Sequence, residues 1–151
     1  MNIVKTLDQY DENAVYFSES IKNNVMVDGQ FIRILYSSPC FSLNGIYLFF
    51  NIRDVFVEKY FNKYKCSFDI SSHREICDKL CEIEYNILKR SNIKKIPQYK
   101  VQEQIMSGHI KIFYPMQVKY SNMGFLLKIS GVWETETHCG ITYKFSKVDN
   151  T

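Results

Sequence analysis

The chain has 151 residues, 46% of them apolar and 15% aromatic. That is enough for one domain with one core, and it excludes both a second independent core and wholesale disorder. The formal net charge is +3 and the pI about 8.5, a balance that permits a polyanionic partner but stays under the pI above about 9 common in strong nucleic-acid binders.

A single alanine, Ala14, stands against many Ile, Tyr, Phe, Asn and Lys residues, which favours pleated strands over helices. Residues 1–12 are polar and read as a flexible arm, followed by a short first strand at 14–17. Val27-Asp28-Gly29-Gln30 is a turn signal that launches a strand over 31–36. Alternation places Ile32, Ile34 and Tyr36 on one side of it and Phe31, Arg33 and Leu35 on the other. Ser37-Ser38-Pro39 breaks that strand, and 41–50 supplies another with Asn44-Gly45 inside it. Asn-Gly marks either a tight hairpin or a bulge; too few residues precede it for a hairpin arm, so a bulge is expected. Residues 54–60 fit a strand end or a helical turn, and 64–68 a further strand.

A helix is expected over 72–91. Ser72-His73-Arg74-Glu75 has the form of a capping box, and Ile76, Leu80, Ile83, Ile87 and Leu88 make one apolar stripe. Lys89 and Arg90 lie near its negative end. Beyond it, 99–105 and 109–114 read as a hairpin about Ser107-Gly108, 115–124 as a loop, and 125–133 with 140–147 as a closing hairpin. Strands, one helix, then closing strands is the order of a mostly β (α+β) fold. The expectation is an OB-like five-stranded antiparallel barrel, with one capped helix between strands and an extra hairpin, in a single domain over 1–151.

The five cysteines (Cys40, Cys66, Cys77, Cys81, Cys139) form an odd set with no C-x-x-C pair. The first residues lack an apolar signal region, and no run approaches the roughly 20 apolar residues of a spanning helix. These features predict buried, reduced thiols in an intracellular reducing compartment and no membrane partner.

The chemistry-bearing feature is a basic, aromatic sheet face. Arg33, Lys65, Lys111, Lys128 and Lys144 project away from the apolar set of their strands, as do Tyr47, Phe49 and Phe113. Cations pair with phosphates and rings stack on bases, so the pattern suits single-stranded nucleic acid, provided barrel closure gathers the five cations into one trough. The bland alternative is a solvated face with scattered lysines. Trp133 keeps phase with Phe125, Leu127 and Ile129, which favours a core or barrel-end anchor over a stacking platform, and Glu134 and Glu136 form an acidic rim beside it.

His73, Cys77 and Cys81 recur at helical spacing, but closely spaced ligand pairs in loops are the usual zinc signature, so no metal and no cofactor is expected. The carboxylate pairs Glu82/Glu84 and Glu134/Glu136 fit surface spacing. With no nucleophile elbow and no Gly-rich phosphate loop, the chain does not read as an enzyme.

The run Leu126-Leu127-Lys128-Ile129-Ser130-Gly131-Val132-Trp133-Glu134, with Gly140-Ile141-Thr142-Tyr143-Lys144-Phe145, resembles the closing hairpin of viral OB-fold single-stranded DNA-binding proteins of the T7-like phage and large nucleocytoplasmic DNA virus type. Ile21-Lys22-Asn23-Asn24 and 31–37 resemble their opening. The resemblance implies sequence-independent binding of single-stranded DNA or RNA across the barrel face, in viral replication, recombination or repair alongside replication proteins. It singles out Arg33, Lys128, Trp133, Tyr143 and Lys144. Phage members carry a long acidic tail, unlike Lys147-Val148-Asp149-Asn150-Thr151 here. The rival expectation is a viral accessory or structural protein-interaction subunit forming a homo-oligomer, suggested by a surplus of aromatics over one core's needs.

Overall fold

A computed structural model describes residues 5–22, 29–38, 41–113 and 120–148. In chain order the elements are β1 (Lys5–Thr6), β2 (Val15–Lys22), β3 (Gln30–Ser38), β4 (Phe41–Asn44), β5 (Ile46–Tyr60) and β6 (Lys63–Ser67), then α1 (Arg74–Ser91), β7 (Ile96–Gln98), α2 (Lys100–Met106), β8 (His109–Ile112), β9 (Tyr120–Glu134) and β10 (His138–Val148). The fold is mostly β, as composition predicts, with one long helix.

The strands join in one sheet organised around β9. One edge of β9 pairs with β3 over its last residues and with β5 over the rest, and the other edge pairs with β10. From β5 the order continues to β6 and β8. Among the described residues β8 and β10 share no strand pairing, so the sheet stays open where a five-stranded barrel would close. Gln104 of α2 spans that seam: its Oε1 accepts the Lys111 N–H at 2.8 Å, and its Nε2 donates to the Tyr143 hydroxyl at 3.1 Å.

Gly45 is a corner rather than a hairpin turn. Its φ of +106° is open to glycine at little cost, and the strands on either side pair with different partners, β4 with β3 and β5 with β9. The chain bends at Asn44-Gly45, but between two separate strands and not through the bulge expected there; the bulge of β5 lies further on, between Ile52 and Val55. Residues 54–60 continue β5 past a bulge between Ile52 and Val55. There Asp54 takes φ +57° and donates its N–H to Asn122 Oδ1.

Several expectations change. Residues 5–12 are not a free arm: β1 pairs with β5 and Leu7 is buried. Residues 100–106 form α2, not the first arm of a hairpin, because Val101 and Ile105, four apart, bury one side of a short helix. β9 begins at Tyr120, inside the expected loop; residues 114–119 lie outside the described set. The Ser72–Glu75 capping box is absent, since α1 starts at Arg74 with His73 as N-cap and no side-chain cap bond. Ser72 instead donates its hydroxyl to Asp69, as does Ser71.

One contiguous core unites the inner sheet face with the expected helix stripe: Leu80, Ile83, Ile87 and Leu88 are buried and Ile76 packs beside them. Glu84 is also buried, contrary to the surface placement expected for it. Its Oε2 and Oε1 accept the N–H groups of Val101 and Gln102, each at 2.9 Å. These are free donors of the first turn of α2, so α1 caps α2 through one carboxylate.

Candidate nucleic-acid interface

Burial alternates along β9. Phe125, Leu127 and Ile129 are buried, while Leu126, Lys128 and Ser130 are half-buried on the side away from the core. Lys128 is the middle of a row that crosses three strands: its partners are Tyr47 on β5 and Lys144 on β10. Its Nζ lies 5.5 Å from the Tyr47 ring centroid, within cation–π range. Two lysines directly opposite each other repel, and a bound anion turns that repulsion into attraction.

Rings flank this row along β9. Toward its start, Phe49 stands opposite Leu126 and lies over Gly124, where a Cβ would come within 2.9 Å of the ring. Toward its end, Arg33 is exposed opposite Gly131, and Phe31 pairs with Trp133. The indole of Trp133 rests on Gly140, at the position a Cβ would take 2.6 Å from Cζ2. Trp133 therefore lies outside the core, against the first of the two placements its phase predicts. β9 carries one extra residue at Ser130, where the register with β10 shifts between Thr142 and Tyr143, and that residue moves Val132 to the core and Trp133 to the outer face. Tyr143 departs the other way. It packs edge-on against Phe145 and bonds Gln104 in the seam, and burial raises its phenol pKa.

Lys65 and Lys111 form a second patch. They face each other across β6 and β8, and neither makes a salt bridge among the described residues. His109, on the same side of β8, donates or accepts through Nδ1 at the Ser107 hydroxyl. Burial, then the charges of Lys65 and Lys111, hold its pKa below the usual imidazole value. Lys63 Nζ lies 5.5 Å from the Phe113 ring centroid. Around these cations Phe56 is 47% exposed, Phe113 52%, Tyr60 59% and Phe61 81%.

The five cations thus fall into two groups instead of a single trough: Arg33, Lys128 and Lys144 around β9, Lys65 and Lys111 on β6 and β8. The cause is topological, because β6 pairs with β5 only beyond the bulge, over Phe56–Tyr60, far from Tyr47. Phe56, Tyr60, Phe61 and Lys63 join this patch although the sequence pattern does not single them out. The alternation of buried Val55 and Val57 with exposed Phe56 and Glu58 carries the signal for Phe56 and Tyr60; the turn residue Phe61 and Lys63 beyond it have none.

Cys66, Cys77 and Cys139 belong to the core, Cys81 is half-buried, and His73 is buried. His73 Nε2 accepts the Arg53 N–H at 2.9 Å and its Nδ1 faces the Asp69 carbonyl at 2.9 Å, so both ring nitrogens are occupied. Cys66, Cys77 and Cys139 are buried; burial pushes the Cys66 thiol up to about 12 and that of Cys81 to about 11. Cys40 lies outside the described residues. Among the described residues no three His, Cys, Asp or Glu side chains cluster as metal ligands, and no helix is long and apolar enough to cross a membrane. Comparison with protein-family models, with curated proteins and with solved structures finds no match.

Proposed function

We propose that this protein binds single-stranded nucleic acid, without catalysis and largely independent of sequence, on the outer face of β9. The observation that carries the reading is the Tyr47–Lys128–Lys144 row, in which two ammonium groups and a ring stand side by side across three strands. Arg33, Phe49 and Trp133 extend it along β9. Rings that lie on glycines offer stacking surface to any base, and cations spaced between them meet the phosphates, an arrangement tolerant of sequence.

The strand–helix–strand order and the Gln104 side chain that bridges the seam suit an OB-like barrel left ajar between β8 and β10. The likeness of the closing strands to viral single-stranded DNA-binding proteins supports a role in viral DNA replication, recombination or repair. Fluorescence anisotropy with a short labelled oligo(dT) tests the reading. Three phosphate contacts give a slope of log K against log salt of about −2. Absence of binding at low salt, or binding indifferent to salt, rules it out. A salt-insensitive oligomer without an oligonucleotide shift, seen by size-exclusion chromatography, favours the protein-interaction rival.

A further inference from the structure

The turn between β5 and β6 carries aromatic surface that the β9 face does not use. Tyr60 partners Lys63, so Phe61 and Asn62 alone make the turn. Phe61 takes φ +55°, a left-handed conformation unfavourable for a bulky side chain and natural to Gly or Asn. It is also the most exposed of the large apolar side chains described. Its ring stands edge-on against Tyr60, 4.7 Å between centroids, so the two hold each other in place. Beyond that one contact, so strained and exposed a ring buries little for the fold, which points to use by a partner.

The surroundings select the partner. On the outer side of the sheet Tyr60, Lys63 and Phe113 lie together at the tip, and Lys65 and Lys111 form the next row. The acid in that row, Glu58, stands opposite Lys65. Rings alternating with lysines complement a polyanion with π-faces better than an apolar protein surface.

We infer that the β5–β6 tip is an aromatic finger that takes a second segment of the same strand held on β9. Tyr60 and Phe61 stack on its bases, and Lys63, Lys65 and Lys111 contact its phosphates. The inference rests on the function proposed above. Tyr47 and Tyr60 are separated by about 40 Å of strand rise along β5, so an oligonucleotide that fills only the β9 face does not reach the tip.

The test compares oligo(dT) of about 5 nucleotides with oligo(dT) longer than about 16, the span of reported site sizes, on wild type and on Phe61→Asn. Asn suits the left-handed turn, so this variant keeps the hairpin. Wild type is expected to bind the long oligonucleotide with a salt slope near −4, against about −2 for the short one, since six phosphate contacts replace three. Phe61→Asn is expected to weaken the long oligonucleotide by about 5- to 100-fold, one lost stack, and to leave the short one unchanged. Equal slopes for the two lengths, together with an unaffected Phe61→Asn, overturn the finger while leaving the β9 face standing. Failure of wild type to bind either length removes the underlying function and the finger with it. A Phe61→Asn variant that loses self-association but keeps full affinity for long oligo(dT) assigns the tip to protein contact and overturns the inference.

Discussion

Lys128 stands over the ring of Tyr47, its Nζ 5.5 Å from the centroid, with Lys144 directly across the next strand. For stability the two contacts oppose each other, a cation–π attraction of about 0.5–1 kcal/mol against a like-charge pair that is destabilising by a similar amount. Lys128→Ala is therefore expected to shift unfolding free energy by less than about 0.5 kcal/mol. In the same variant the salt slope for short oligo(dT) should fall in magnitude by about 0.7, one phosphate contact. Chemical denaturation and anisotropy on one preparation separate the two. Substantial destabilisation with an unchanged slope would make Lys128 a structural residue.

His109 reports on the second patch. Burial and the charges of Lys65 and Lys111 hold its pKa below the ordinary histidine value. The folded chain then binds fewer protons than the unfolded chain in the window just under that value, so this group makes stability rise as pH rises through it. Asp69 and Arg74 line the same cleft as His109 and Lys65, and Lys100 and Glu103 line the cleft shared with Lys111. Removing a charge by Lys65→Met or Lys111→Met should raise the His109 pKa, as read from the imidazole proton shifts in an NMR titration. Phosphates bound at the two lysines should raise it as well, so long oligo(dT) would bind more tightly as pH falls through the histidine range, about 6.5. An unmoved His109 pKa in both variants contradicts the proximity of the three charges.

Glu84 joins the two helices by accepting two backbone N–H groups of α2 from inside the core. Glu84→Gln keeps the shape but turns an amide donor toward one of those N–H groups, and should cost about 1–3 kcal/mol, measured by urea unfolding. Burial raises the Glu84 pKa while the Gln102 and Val101 amides pull it down. The net upward direction means that ionising Glu84 removes stability as pH rises through its folded value. The Gln variant should lose that part of the pH dependence. A fully stable Glu84→Gln would show that α2 needs no cap.

Much of this arrangement is legible in residue order. The alternation Ile46, Leu48, Phe50 against Tyr47, Phe49 assigns the inner and outer faces of β5, and the α1 stripe follows from helical spacing. Period-2 reading also puts Lys65, Lys111, Lys128 and Lys144 outside the core. It fails at Trp133 because one extra residue at Ser130 inverts every position after it, and nothing local to Lys-Ile-Ser-Gly marks the bulge. Residues 99–105 mislead for a different reason: a seven-residue helix shows fewer than two full turns of periodicity, and the carboxylate that caps it comes from α1. The division of the cations between two patches depends on where β6 joins β5, a pairing between distant segments that no single stretch records.

Trp133 is the only tryptophan, and it lies half-buried on the outer face of β9 beside Phe31 and against Gly140. Its fluorescence is therefore an internal reporter on the proposed interface. Titration with short oligo(dT) at low salt should change the Trp133 emission saturably, in step with anisotropy, and added salt should restore it. Oligonucleotide binding that leaves the emission untouched would put the strand elsewhere, and no binding at low salt would end the proposal altogether.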